Sequence, residues 1–240
     1  MHPLFYLVAF FAIITASFFP FLIITVLILV HEFGHSLMVY LFGGEVIKIL
    51  IYPLGGISKF STSFNIPLVK EFIILLFGPL FQIIAWYLLI TLFPEKEMLI
   101  SSYHYGILFF NLLPIYPLEG GKVLCLFFHR IFSYRFSFYF TFVIGYLLVL
   151  SFLIFTYFHF SFNVIFLSIF LLVKLTKEYR QIPYFYEKFL LERYLNHYIF
   201  KKSKILNSSS DFQRGYHHLI KDGELYYLEE EYLEKKYKSY

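Results

Sequence analysis

Six apolar stretches, each near the roughly 20 residues that an α-helix needs to cross the hydrocarbon of a bilayer, take up most of the first 175 residues. A backbone in lipid must satisfy its own hydrogen bonds, which leaves helices or a closed barrel. Apolar runs this long, without two-residue alternation, are helical. The expected spans are 4–19, 21–42 after Pro20, 68–93, an interrupted 99–129, 136–156 and 161–175. A Pro-containing loop before Gly120 breaks the fourth, and the last two form a hairpin turning near 158–163. Composition agrees: 59% of the residues are hydrophobic and 15% charged, against roughly 45–50% and 25% in soluble domains. A disordered chain, a collagen-like fibre and an ordinary soluble enzyme are excluded. The single cysteine, Cys125, excludes an internal disulfide and a cysteine-only metal site. The first stretch has no preceding Lys or Arg and no small-x-small cleavage site, so it reads as a span and not as a signal peptide.

Charge supplies the orientation. With a cytoplasmic N-terminus, the inner connections hold Lys48, Lys59, Lys70, Lys122, Arg130 and Arg135, while the outer ones hold only Lys96. That is a positive-inside pattern with both termini cytoplasmic. Thirteen of the 20 Lys and Arg residues lie from Lys174 onward, mixed with acids and without a basic stripe. Nucleic acid is therefore not an expected partner.

The second span reads LILVHEFGHSLMVYLF. His31, Glu32 and His35 stand near its middle, where ionisable groups are costly and mark function. His31 and His35 are i and i+4, so both imidazoles leave one helical face and can hold one metal ion. Glu32 is turned about 100° from His31, near the ion without being a ligand, as a general base for an activated water must be. Paired histidines also serve as haem ligands or polar packing, but three such residues in one apolar span favour a metal.

Catalytic zinc takes three protein ligands and keeps an open position. No aspartate precedes Asp211, so the third ligand is a Glu, a His or a weaker donor. Glu45 and Glu71 lie near span ends, Glu95 and Glu97 lie in an outer loop, and His104 and His129 read as packing or interfacial residues. Glu119 stands out in NLLPIYPLEGGKVL, where prolines and glycines interrupt an apolar stretch. Broken backbone at membrane depth is tolerated where it lines a cavity.

HEFGH followed by NLLPIYPLEGG resembles the site-2 protease family of intramembrane zinc metalloproteases, most of all its stage IV sporulation protein FB branch. That branch cleaves the precursor of a sporulation sigma factor. The resemblance covers about residues 1–175. It matches Asn111, Pro117 and Gly120 to the family's Asn-Pro-Asp-Gly-type motif, with Glu119 in place of the zinc-binding aspartate. Glutamate reaches about 1.5 Å further, and carboxylates of either length ligate zinc. FGPLFQ, 77–82, is similar to the family's Gly-Pro-x-x-Asn element, with Gln82 in the asparagine position. YPLGG, 52–56, resembles the re-entrant membrane loop after the catalytic span.

The resemblance implies an all-α polytopic membrane protein of about six transmembrane helices, with a re-entrant β-like loop and a small cytosolic C-terminal region. The expected zinc ligands are His31, His35 and Glu119. Glu32 is the expected base, Asn111 positions substrate or stabilises the oxyanion, and Gly55, Gly56 and Gln82 meet the substrate. Segment 46–61 alternates β-branched and polar residues and offers an edge for strand addition. The implied partners are a membrane-associated sigma factor precursor and small inhibitory membrane proteins, with a homo-oligomer left open. The implied location is the membrane surrounding the forespore. A second reading, in which the glutamate leaves a relative that binds membrane partners without cleaving them, stays open. A proton-coupled transporter has less support, since no internal repeat is visible.

From about residue 175 aromatics mix with charges. The expected organisation is a metalloprotease domain over 1–175, a helical connector over 176–206 and a short cytosolic tail over 207–240. NSSS, 207–210, reads as a flexible break, and Asp222-Gly223 as a turn before a charged helix. Sporulation relatives carry a CBS domain here, so the tail resembles a truncated CBS-like module, with no nucleotide-binding residue assigned.

Overall fold

The computed structural model describes residues 3–52, 55–61, 63–158, 160–207, 212–222 and 225–238. Pro53 and Leu54 of YPLGG, residues 208–210 of the expected break and Gly223 of the expected turn lie outside the described residues. The order is α1 (Pro3–Ile14), α2 (Phe18–Leu41), β1 (Glu45–Tyr52), β2 (Gly55–Ser61), α3 (Leu68–Leu92), a 3₁₀ turn (Pro94–Lys96), α4 (Glu97–Leu112), α5 (Glu119–Ile131), α6 (Tyr134–Phe158), α7 (Phe162–Tyr179), α8 (Ile182–Asn196), β3 (Ser203–Leu206), β4 (His217–Asp222), β5 (Leu225–Leu228) and α9 (Glu229–Lys238). The architecture is mostly helical. By length and composition α2, α3 and α6 are long and apolar enough to cross a membrane. The chain forms two compact units, Met1–Thr62 with Val69–Asn111, and Ser63–Leu68 with Leu112–Tyr240.

In the first unit the break between α1 and α2 falls at residues 15–17 and not at Pro20. Ala16 takes a positive φ of 56°, whereas Pro20 sits in the first turn of α2, where its missing N–H has no intrahelical partner to lose. Helices α2, α3 and α4 share a core of Ile23, Leu27, Ala85 and Ile100, wrapped by Phe19, Val30, Trp86, Leu89, Ile90, Tyr103 and Ile107. Gly34 brings α2 onto α3, because a methyl group there would overlap the Phe77 carbonyl. The expected β-like loop is an antiparallel hairpin, with Tyr52 opposite Gly55 and Ile51 opposite Gly56.

The interrupted span, 99–129, corresponds to α4, a loop and α5, and the loop and α5 belong to the second unit. Two glycines permit the interruption. A side chain at Gly120 would strike the Leu112 and Leu113 carbonyls, and one at Gly121 the backbone of Ile115 and Tyr116. The loop therefore folds directly over the first turn of α5, closed by Leu118 N–H donating to the Ile115 carbonyl at 2.8 Å. Helices α6 and α7 form the expected hairpin. Beyond it the tail is more ordered than its composition suggests. Strand β3 runs parallel to β4 and β4 antiparallel to β5, and α9 follows.

This C-terminal region is organised by Arg193 of α8, only 3% exposed. Its guanidinium donates to Glu229 at 2.7 Å, to the Tyr216 and Gln213 carbonyls, and to Asn65 Oδ1 at 2.8 Å, and it lies over the rings of Phe189 and Phe200. Glu229 also accepts from the backbone N–H and the Nδ1–H of His218, at 2.8 and 2.9 Å. His218 Nε2 in turn accepts from the Gln213 N–H at 3.1 Å, so this imidazole is neutral. Burial holds its pKa below the ordinary 6.5, outweighing the hydrogen bond to Glu229. Burial alone would raise the Glu229 carboxyl, but the hydrogen bond from His218 and the charge of Arg193 hold it below 4.5.

Acid should therefore loosen this region. Just below pH 6.5 the unfolded state binds a proton that folded His218 excludes, so stability falls with falling pH, and Glu229 adds a further loss at lower pH. Protease resistance of 203–238 in the purified protein is expected to be full at about pH 7.5 and to decline from about pH 6.5 downward. Glu229→Ala strands a buried guanidinium, costs about 3–5 kcal/mol and leaves the region sensitive at both pH values.

Candidate metal centre

The HEFGH motif occupies the C-terminal half of α2 as a continuous helix, and His31, Glu32 and His35 are all buried. The i, i+4 spacing brings His31 Nε2 to 3.2 Å from His35 Nε2. The far side of each ring is tied down by α3. His35 Nδ1 lies 2.7 Å from the Ile74 carbonyl oxygen, which can only accept, so Nδ1 carries the proton. Pro79, inside α3, offers no N–H to the Leu75 carbonyl one residue further along, so this turn of the helix is locally less bonded. His31 Nδ1 donates to Gln82 Oε1 at 2.9 Å.

With both protons on Nδ1, the two Nε2 atoms face one another at the separation that a shared cation suits. Two imidazole nitrogens each about 2.0–2.1 Å from one tetrahedral ion stand about 3.3 Å apart, which the observed separation matches. Among the described residues, His31, His35 and Glu119 are each buried, and each offers one donor that a metal ion can take. Two imidazoles and a carboxylate are a donor set of catalytic zinc, so the residues fit the ion.

Glycines shape both sides of this site. Gly78 of α3 faces the His35 ring, and a methyl group there would overlap it. Gly56 of β2 lies against the Glu32 carboxylate in the same way, so the hairpin covers the expected base. Gly55 opens β2. Asn111 is partly buried in the last turn of α4, and Glu119 is in the first turn of α5. Glu45, Glu95 and Glu97 are exposed. Gln82, expected at the substrate, is fully buried with its amide between His31 and His104. That side chain serves an imidazole, because its polar atoms are already engaged. His104, read from sequence as packing, is the residue that sequence reasoning missed. Its contact with Gln82 crosses from α4 to α3, which no spacing rule reveals.

Residues 19–102 match the model of peptidase family M50. The chain is 31% identical to stage IV sporulation protein FB of Bacillus subtilis (strain 168) over 247 aligned positions, covering 92% of this chain and 83% of that protein. It belongs to the site-2 protease family, peptidase family M50. Other relatives match over shorter lengths. A zinc metalloprotease of Methanocaldococcus jannaschii is 30% identical over 115 residues, 43% of this chain and 32% of that one. The solved structure of the site-2 protease from Methanocaldococcus jannaschii superimposes with a TM-score of 0.58 at 26% identity, over 73% of this chain and 86% of that chain.

The glycine contacts make a direct test. Gly78→Ala pushes on the His35 ring and should lower zinc affinity about tenfold or more, the order expected when a ligand's support is disturbed. Gly106→Ala, whose methyl would meet open space on α4, should leave affinity unchanged. Competition against a chelator of known affinity measures both.

Proposed function

We propose that this chain is an intramembrane zinc metalloendopeptidase that cleaves a membrane-associated precursor protein, an inactive sigma factor precursor in sporulation. The observation that carries the reading is the pair of Nε2 atoms 3.2 Å apart on α2, each with its Nδ1 committed to an acceptor on α3. The likeness to stage IV sporulation protein FB over most of both chains supports the substrate class and a place in the membrane surrounding the forespore. On this reading six spans cross that membrane, both termini are cytoplasmic, and the region from 203 on is a truncated CBS-like module.

His31, His35 and Glu119 hold the ion in this proposal. When bound, zinc supplies the Lewis acidity that makes water reactive near neutral pH. Glu32 takes the proton of the attacking water and passes it to the nitrogen of the leaving amine. Asn111 donates its amide hydrogen to the carbonyl oxygen as that atom gains charge. A helical substrate hides its peptide bonds, so it must be extended. The β1–β2 hairpin has a free edge for an added strand among the described residues, and Gly56 brings its backbone beside Glu32.

Co-expression with a candidate precursor tests the reading. Wild type should cleave, and Glu32→Gln should lose activity by about 10²-fold or more, the contribution of one general base, while keeping its zinc. Cleavage undiminished in Glu32→Gln would remove the peptidase assignment. Glu119→Ala should lose both zinc and cleavage.

A further inference from the structure

The two imidazoles of α2 are oriented by different means. The acceptor for His35 is the backbone carbonyl of Ile74, which has only one chemical face. The acceptor for His31 is one end of the Gln82 amide, and an amide is reversible: its other end donates. Were it reversed, Gln82 would present N–H to His31 Nδ1. The proton would move to Nε2, and the lone pair needed by a cation would be gone.

What prevents reversal lies on the other side of Gln82. Its Nε2 stands 3.1 Å from the His104 carbonyl oxygen and 3.3 Å from His104 Nδ1. The carbonyl can only accept, so the amide NH₂ must face α4, and Oε1 is thereby turned toward His31. His104 is itself held in place. It is 1% exposed, and its ring stacks on Trp86 at 4.9 Å and 15°. Trp86 Nε1 donates to Ser101 Oγ at 2.9 Å, on the α4 turn that precedes His104. Each link is buried or part-buried; the amide NH₂ and the indole N–H can only donate, and the His104 carbonyl can only accept.

We propose that Gln82 and His104 form a positioning relay, running from α4 through α3 to α2, that fixes His31 as its Nδ1–H tautomer. The relay itself is a property of the metal-free chain. Only its consequence for zinc rests on the function proposed above. Because the amide's orientation is set by the backbone of α4, the relay ties the ligand geometry of α2 to the packing of α3 on α4.

The test is magic-angle-spinning NMR of the metal-free protein in lipid, with ¹⁵N-labelled imidazoles, beside zinc affinity by chelator competition. Wild-type His31 should give the nitrogen shifts of a single Nδ1–H tautomer. Gln82→Leu, close in volume and without an amide, should give a tautomer mixture and about 10–100-fold weaker zinc binding. His104→Phe, which keeps the carbonyl and the stack on Trp86, should retain the tautomer. A wild-type His31 protonated on Nε2 would overturn the proposal, as would an unchanged tautomer in Gln82→Leu. A tautomer that shifts in Gln82→Leu, in a wild type that takes up no zinc, would uphold the relay and remove the metal assignment instead.

Discussion

Two imidazoles on one helical face, with both Nδ1 protons already spent on acceptors from the neighbouring helix, must turn their remaining lone pairs toward one point. The first unit is arranged around that constraint. Gly34 sets α2 close enough to α3 for the contacts to form, and Gly78 leaves room for the His35 ring. Gln82 and the Ile74 carbonyl supply the acceptors. Gly56 then lets the hairpin come down on Glu32, the adjacent carboxylate. Without the paired protons on Nδ1, the same helix would be a polar liability in an apolar segment; with them, its two imidazoles are oriented as the proposed metal site requires.

The two units solve their polar burial by different chemistry. In the first, imidazoles and an amide form a directional chain from α4 through α3 to α2. In the second, a full charge is buried. Arg193 is offset by Glu229, by backbone carbonyls and by aromatic faces, and breaking such a pair is costly even though forming it adds little net stability. The first arrangement suits a site that must accept a cation without prior rearrangement. The second suits a small three-stranded region whose apolar core, with Leu206, Phe212, Ile220 and Leu233, is modest.

The imidazole pair was legible in the sequence, because i, i+4 spacing on a helix is a local rule. Residues His31 and His35 needed only the period of the helix and the apolar setting of their span. The break at NLLPIYPLEGG was also readable, although its cause, loop backbone pressed on Gly120 and Gly121, required coordinates. Contacts between helices were not legible. Gln82 and His104 meet across 22 residues of sequence, and nothing in hydropathy distinguishes His104 from His129, whose ring instead packs on Tyr134 and Phe138. The C-terminal strands were missed because β3 pairs parallel with β4, a nonlocal partnership that four residues of sequence do not signal. Pro20 misled in the opposite direction, since a proline in a first turn looks like a break and is not one.

X-ray absorption of the zinc-loaded protein reads out whether His31, His35 and residue 119 ligate one zinc ion. Wild type should show two imidazoles and only light N or O neighbours at about 2.0–2.2 Å. Glu119→Cys should then replace one of these with a sulfur at about 2.3 Å. A Glu119→Cys spectrum identical to wild type would show that position 119 does not touch the ion and would contradict the proposed zinc site.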